Sequence, residues 1–248
     1  MDIMDPVEAA HAVVAERHPE ARAAFLGGSV LTAHRTAFSD LDIVVLPEEG
    51  AAPYREGLRC AGWPVELFVH TEASWSGYVE REIAMRRSPL LFMCATGMLL
   101  FDHDGLGAQL QAQAKILVDA GPPALPADEL NGRRYALTDL LDDLAGCAQA
   151  GERLCLVTEV AQRTGELVLL LDGAWLGGGK WLACRVSATR PGFMERLDAA
   201  VRVALAGSSG ELTTLVDEVL APVGGRLWEG HRQDGVWPPR RAAVEGKE

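Results

Sequence analysis

The chain has 248 residues, enough for one large domain or two modest ones around a substantial core. Hydrophobic residues make up 48% and charged residues 23%, which excludes a wholly disordered or collagen-like chain. Asp and Glu outnumber Lys and Arg by 35 to 23, a formal charge of −12, so a long nucleic-acid backbone is a poor partner.

In chain order, Asp5-Pro6 reads as an N-cap and first-turn proline, opening a helix that Pro19 stops near His18. Residues 23–26 form a short apolar run ending in Gly27-Gly28, hence a buried strand and a tight turn. Residues 29–37 are expected as a short helix opened by that turn. The β-branched run 41–46, closed by Pro47, reads as a strand, as does 64–71. A helix is expected near 75–85. Another strand is expected over 97–101, closed by Asp102-His103-Asp104-Gly105.

Residues 121–128 are proline-rich and mark the expected boundary between domains. Beyond it, 133–148, 152–171, 181–188, 193–205 and 211–220 carry apolar residues at helical spacing, and no segment reads as a strand. The expected class is α+β: a small mixed-sheet domain over 1–120, an all-helical bundle over 129–223, and an irregular tail over 224–248 with Pro238-Pro239. The five cysteines are scattered without C-x-x-C, which suits buried free thiols rather than a disulfide framework or zinc site. The start lacks a basic segment followed by an apolar stretch, and no apolar run is long enough to span a bilayer. A cytoplasmic location without membrane association is expected.

The chemistry concentrates in Gly27-Gly28-Ser29, followed after ten residues by Asp40-Leu41-Asp42-Ile43. Residues i and i+2 of a strand share a face, so Asp40 and Asp42 point the same way. Two carboxylates about 4 Å apart repel by about 4 kcal/mol at an effective dielectric of 20, and something cationic is needed between them. Paired magnesium ions, which take oxygen ligands, are the natural filler. Glu66, flanked by Val65 and Leu67 in the next strand, is placed to join them. Gly27 and Gly28 permit close backbone approach, the helix expected after them offers unpaired N–H groups and a positive dipole end, and Ser29 adds a hydroxyl, a set suited to a phosphate. Phosphates on a turn and metals on carboxylates fit nucleotidyl transfer by in-line displacement.

Leu26-Gly27-Gly28-Ser29 and Asp40 to Ile43, with Glu66 later, resemble the signature of the DNA polymerase beta-like nucleotidyltransferase superfamily. The pairing of a small α/β domain with helices is similar to its aminoglycoside and lincosamide branch. The resemblance implies that Gly28 and Ser29 contact the triphosphate and that Asp40 and Asp42 bind two Mg2+ ions. It implies that Glu66 binds one metal and takes the acceptor proton; Asp142, on an acidic helical face of the second half, is the other candidate base by its own position. It also implies a lysine of the helical domain reaching the phosphates. Lys180, one of three lysines and placed after Gly177-Gly178-Gly179, is the candidate. That loop lacks P-loop spacing. Arg35 is a further candidate phosphate contact.

Blander readings stand beside these. Asp40 and Asp42 can be a solvated strand start, Glu66 an edge-strand acid, Gly28-Ser29 a structural turn, Lys180 a surface lysine, and Trp181 packing rather than a base-stacking ring. Asp139, Asp142 and Asp143 fall on one helical face, either as a solvated acidic surface neutralised by Arg133 and Arg134 or as a wall for a cationic acceptor. Glu159, Arg163 and Glu166 are spaced as an ion-pair ladder. His34, His70 and His103 have no ligand spacing.

The resulting expectation is Mg2+-dependent transfer of a nucleoside monophosphate, AMP first, from an NTP such as ATP to a small-molecule hydroxyl, releasing pyrophosphate. An aminoglycoside or lincosamide antibiotic is one acceptor class, and an acidic surface favours a cationic one. A protein-AMPylating enzyme and a catalytically silent nucleotide-binding module are the alternatives.

Overall fold

The computed structural model describes residues 4–48, 50 and 53–234. A mixed five-stranded sheet near the N-terminus is followed by a helical region, an α+β architecture. Contacts group the chain into two compact units, and the grouping is discontinuous. The described residues up to Ala124 cluster with Leu169–Arg185, and Leu125–Val168 clusters with the described residues from Val186 onward. Lys180 therefore belongs to the sheet-bearing unit.

In that unit, helix α1 spans Pro6–Arg17, and its Asp5 cap accepts from the backbone N–H groups of Val7 and Glu8 at 2.9 and 3.3 Å. Strands β1 (Ala23–Gly27), β2 (Leu41–Leu46), β3 (Tyr54–Cys60), β4 (Trp63–Val69) and β5 (Met98–Asp102) assemble in the order β3-β4-β2-β1-β5. Only β2 and β4 run parallel; the other neighbours are antiparallel. All five residues of β1 are buried because apolar side chains cover both sheet faces there. Ala9 and Val13 of α1 pack with Leu26, Ile43, Val65 and Leu67 on one face. Phe25, Val44 and Leu46 pack on the other with residues of α2 (Glu72–Ala84), α3 (Pro89–Thr96) and α4 (Leu106–Ala120), notably Trp75, Leu91 and Leu110.

Two local expectations are corrected. The helix expected over 29–37 is a single 3-10 turn, Ser29–Leu31. Thr32 Oγ1 donates to the Ser29 carbonyl at 3.0 Å and accepts from His34 N–H at 3.1 Å, and Thr36 Oγ1 accepts from Phe38 N–H at 3.2 Å. These side chains satisfy backbone groups that a helix would otherwise use. The second correction is β3, which the sequence reading passed over. It is an edge strand, with Tyr54, Arg55, Gly57 and Arg59 exposed, so it lacks the apolar density of β1 and β2. Its hairpin to β4 turns through Ala61 and Gly62, both at positive φ (49° and 89°). Ala at the first of these sites gives none of the usual Asn-Gly or Asp-Gly signal.

Helices α5 (Ala127–Gly146), α6 (Ala150–Leu171), α7 (Lys180–Thr189), α8 (Phe193–Leu205) and α9 (Gly210–Leu220) follow. All five match expected helices, and α8 does so to the residue. Residues 224–234 carry no helix or strand, and Pro238-Pro239 lies outside the described residues. The cysteines are free, but only Cys94 is buried; Cys60, Cys147 and Cys184 are half-buried and Cys155 is exposed, which corrects the expectation of buried thiols. No helix among the described residues is long and apolar enough to cross a membrane.

Candidate functional site

The site grows from the end of the sheet where β1 gives way to the glycine turn. The β2–β4 register sets Asp42 directly beside Glu66, and Asp40 precedes β2 by one residue. Asp40, Asp42 and Glu66 each offer a carboxylate oxygen, and these atoms lie within 4.8 Å of one another. Sequence reasoning named all three. Alternation along β4 explains the direction of Glu66: Val65, Leu67 and Val69 are buried on the α1 face, so Pro64, Glu66 and Phe68 take the other.

Gly27 pairs with Asp42 across the β1–β2 ladder, and Gly28 follows at φ +82°. A Cβ on Gly28 would sit 2.2 Å from Asp42 Oδ2. Glycine is thus required twice over, for its φ and for the approach of its backbone to the carboxylate. Ser29 comes next, 2% exposed, with its Oγ 3.0 Å from Ser39 Oγ. Lys180 Nζ donates to Ser29 Oγ at 3.0 Å, across 151 residues of sequence. The serine and lysine expected to share a phosphate therefore already meet. Ser39, which also accepts from Thr36 N–H at 3.0 Å, was not singled out in the sequence, and its position immediately before Asp40 was the available signal.

Burial, then the charges of Asp40 and Glu66, push the Asp42 carboxyl up to about 6; Arg55 and Lys180 act in the opposite sense. Arg55 is the larger omission of the sequence reading. Its guanidinium is ion-paired with Glu66 and feels the charges of Asp42 and Asp40 as well. It lies 4.8 Å from the Phe68 ring centroid. The cationic material needed among the acids is thus supplied in part by the chain itself, from the strand the sequence did not reveal. Three carboxylates against two cations still leave an excess of negative charge. That donor set, all hard carboxylate oxygens with one member held far above its usual range, fits Mg2+ or Mn2+.

Beside Asp40 and Glu66 opens a cavity of about 440 Å³, bordered also by Gly57, Leu58, Arg59 and Pro64. Gly57 stands opposite Glu66 in the β3–β4 register. Other candidates lie elsewhere. Arg35 sits over the Trp63 ring at 5.2 Å. Trp181 is half-buried, edge-on to His34 at 6.1 Å between ring centroids, with Lys180 Nζ 5.8 Å from its own centroid. His70 is buried, which pushes its pKa down, and His103 packs on Phe101.

In the second unit, Asp142 and Asp143 are exposed and Asp139 is half-buried. Their expected neutralisation by Arg133 and Arg134 is corrected. Arg133 pairs with Glu129 at 3.0 Å and Glu166 at 3.6 Å, and Arg134 donates to the Gly224 and Gly225 carbonyls. Arg226 pairs with Asp142 instead, at 3.5 Å. The expected ladder forms between Arg163 and Glu159 at 2.6 Å, while Glu166 turns to Arg133.

No family model matches the chain, and no curated protein matches it. Among solved structures it is similar to a nucleotidyltransferase-like protein from Exiguobacterium sibiricum, at 14% identity over 88% of this chain and 79% of that one, with a TM-score of 0.41. A similarity of that extent assigns neither a family nor a substrate.

Proposed function

We propose that the protein transfers a nucleoside monophosphate from an NTP, ATP first among them, to a hydroxyl of a small molecule. The observation that carries this reading is the meeting of Asp40, Asp42 and Glu66 within 4.8 Å, beside a glycine turn whose serine already holds Lys180.

Asp40 and Asp42 would hold two Mg2+ ions and Glu66 one of them; bound there, magnesium would supply charge neutralisation for the triphosphate and the acceptor oxygen. Ser29 and the Gly28 backbone receive phosphate oxygens at the turn. Lys180 contributes a full positive charge to the phosphates that leave as pyrophosphate. The acceptor oxygen attacks the α-phosphorus, the bond from that phosphorus to the bridging oxygen breaks, and the proton passes to the Glu66 carboxylate. Glu66 is preferred to Asp142 as the base because it belongs to the acidic cluster, whereas Asp142 is exposed and engaged with Arg226. An antibiotic such as an aminoglycoside or lincosamide is one acceptor class, consistent with a net charge of −12 that draws cations.

The test crosses the common ribonucleoside triphosphates with a panel of hydroxyl-bearing compounds in Mg2+ and reads pyrophosphate. Asp42→Asn should lower turnover by at least about a hundredfold, the scale of losing one group that stabilises transition-state charge. Wild-type turnover in that variant refutes the reading. AMP mass added to a co-expressed protein points to the protein-modifying alternative, and NTP binding without turnover points to the silent module.

A further inference from the structure

We infer that Arg55 is the internal counter-cation of the acidic cluster, a positioning residue that occupies Glu66 until a divalent cation displaces it. The inference rests on the metal reading of the cluster given above. Four observations converge. Arg55 is ion-paired with Glu66, one of three carboxylates whose oxygens lie within 4.8 Å of one another. The pairing is diagonal across the β3–β4 ladder, since Arg55 stands opposite Phe68 and Gly57 opposite Glu66. Gly57 presents no side chain there, and a Cβ built on it would meet nothing within 4 Å, so the space across from Glu66 is open to the guanidinium. The Phe68 ring, 4.8 Å from the guanidinium carbon, provides its seat.

A divalent cation and Arg55 compete for the same carboxylate. The Arg55 side chain is 61% exposed and sits on an edge strand, so it can swing away without unpacking the core. Glu66, 28% exposed, cannot follow it far because Val65 and Leu67 on either side are locked in the opposite face. Loading the metal therefore releases Arg55 and leaves Glu66 in place. The released guanidinium remains on the strand that borders the cavity with Arg59.

The competition is tested with Mn2+ alone, without NTP, by following the free-ion paramagnetic resonance signal on the full-length protein. Arg55→Gln and Arg55→Met should each bind Mn2+ about fivefold more tightly than wild type, the scale of a part-exposed ion pair. Arg59→Gln removes the same charge four residues along the strand, where the side chain has no ion pair or hydrogen bond among the described residues; it should change affinity by less than about twofold. Circular dichroism and a thermal melt identify any variant that has not folded, and the two Arg55 substitutions differ enough in polarity that either alone decides. Unchanged or weaker Mn2+ binding in a folded Arg55 variant overturns the inference, because the arginine then helps Glu66 bind metal. Equal tightening by Arg59→Gln also overturns it, because the effect is then general charge removal. In both cases the metal reading survives. If wild type takes up no Mn2+ at all, the metal reading falls and this inference with it.

Discussion

Burial and two carboxylate neighbours hold Asp42 at about 6, well above an ordinary aspartate. Because the folded pKa is raised, its ionised form is penalised by folding. The penalty is absent below about pH 4, grows as the pH rises, and is complete above about 6. The metal-free protein should therefore lose stability over that window. Asp42→Asn should flatten that part of the profile and, at pH 8, raise stability by about 2 kcal/mol while abolishing turnover. Denaturant melts of both proteins across pH check this, and parallel profiles would contradict it. A residue kept at the expense of stability is what a functional site predicts and a solvated strand start does not. Gly28 is constrained at the same point. Gly28→Ala places a methyl 2.2 Å from Asp42 Oδ2 at φ +82°. It should cost at least about 1–2 kcal/mol and remove Mg2+-dependent stabilisation. Near-wild-type melting with and without Mg2+ would show that the turn has room to adjust.

Among elements, the glycine turn and the β2–β4 pair determine the site, and the helices brace them. One brace links β5 to α4. Asp102, the last residue of β5, accepts from the N–H groups of Gly105, Gly107 and Ala108 at 3.0, 3.2 and 2.9 Å. Those hydrogen bonds lower its pKa, the one to Ala108 foremost. Gly105, in the left-handed region, leads the chain into α4 without a cap of its own, so Asp102 does the capping from a distance. Asp102→Ala should lower stability by about 1–2 kcal/mol, the size of a lost cap, with turnover at permissive temperature unchanged. A matching fall in turnover would mean that β5 also shapes the site. The 3-10 turn at Ser29–Leu31 is the element where local chemistry overrode the expected helix. Two tight turns follow it, held by the side chains of Thr32 and Ser39, and bring the chain back to Ser39 and Asp40.

For the whole molecule, the acidic cluster is a region where folding concentrates unfavourable charge. A ligand that binds the folded form alone stabilises it by mass action. Mg2+ at about a hundred times its dissociation constant should add about 2.7 kcal/mol and raise the melting temperature, and Asp42→Asn should erase the shift. A calorimetric scan with and without Mg2+ reads this directly; no shift in wild type argues against a metal site. Much of the fold was legible in the sequence. The buried strands β1 and β2 are short apolar runs bounded by Gly and Pro, and α5 to α9 follow helical periodicity, both of which are local patterns that survive packing. The three acids and Ser29 were legible because their spacing is local to two strands and a turn. The edge strand β3 and the Arg55–Glu66 pair were not, because each depends on partners distant in sequence, and Lys180 was legible only through the family resemblance. An edge strand is half-solvated and therefore carries no apolar signature, and an arginine's partner is chosen by sheet register. What the sequence determined by itself was which acids and which serine make up the candidate site. Only the tertiary structure decided that the chain supplies its own cations to the acids, since that balance exists only once β3 lies against β4 and residue 180 reaches residue 29.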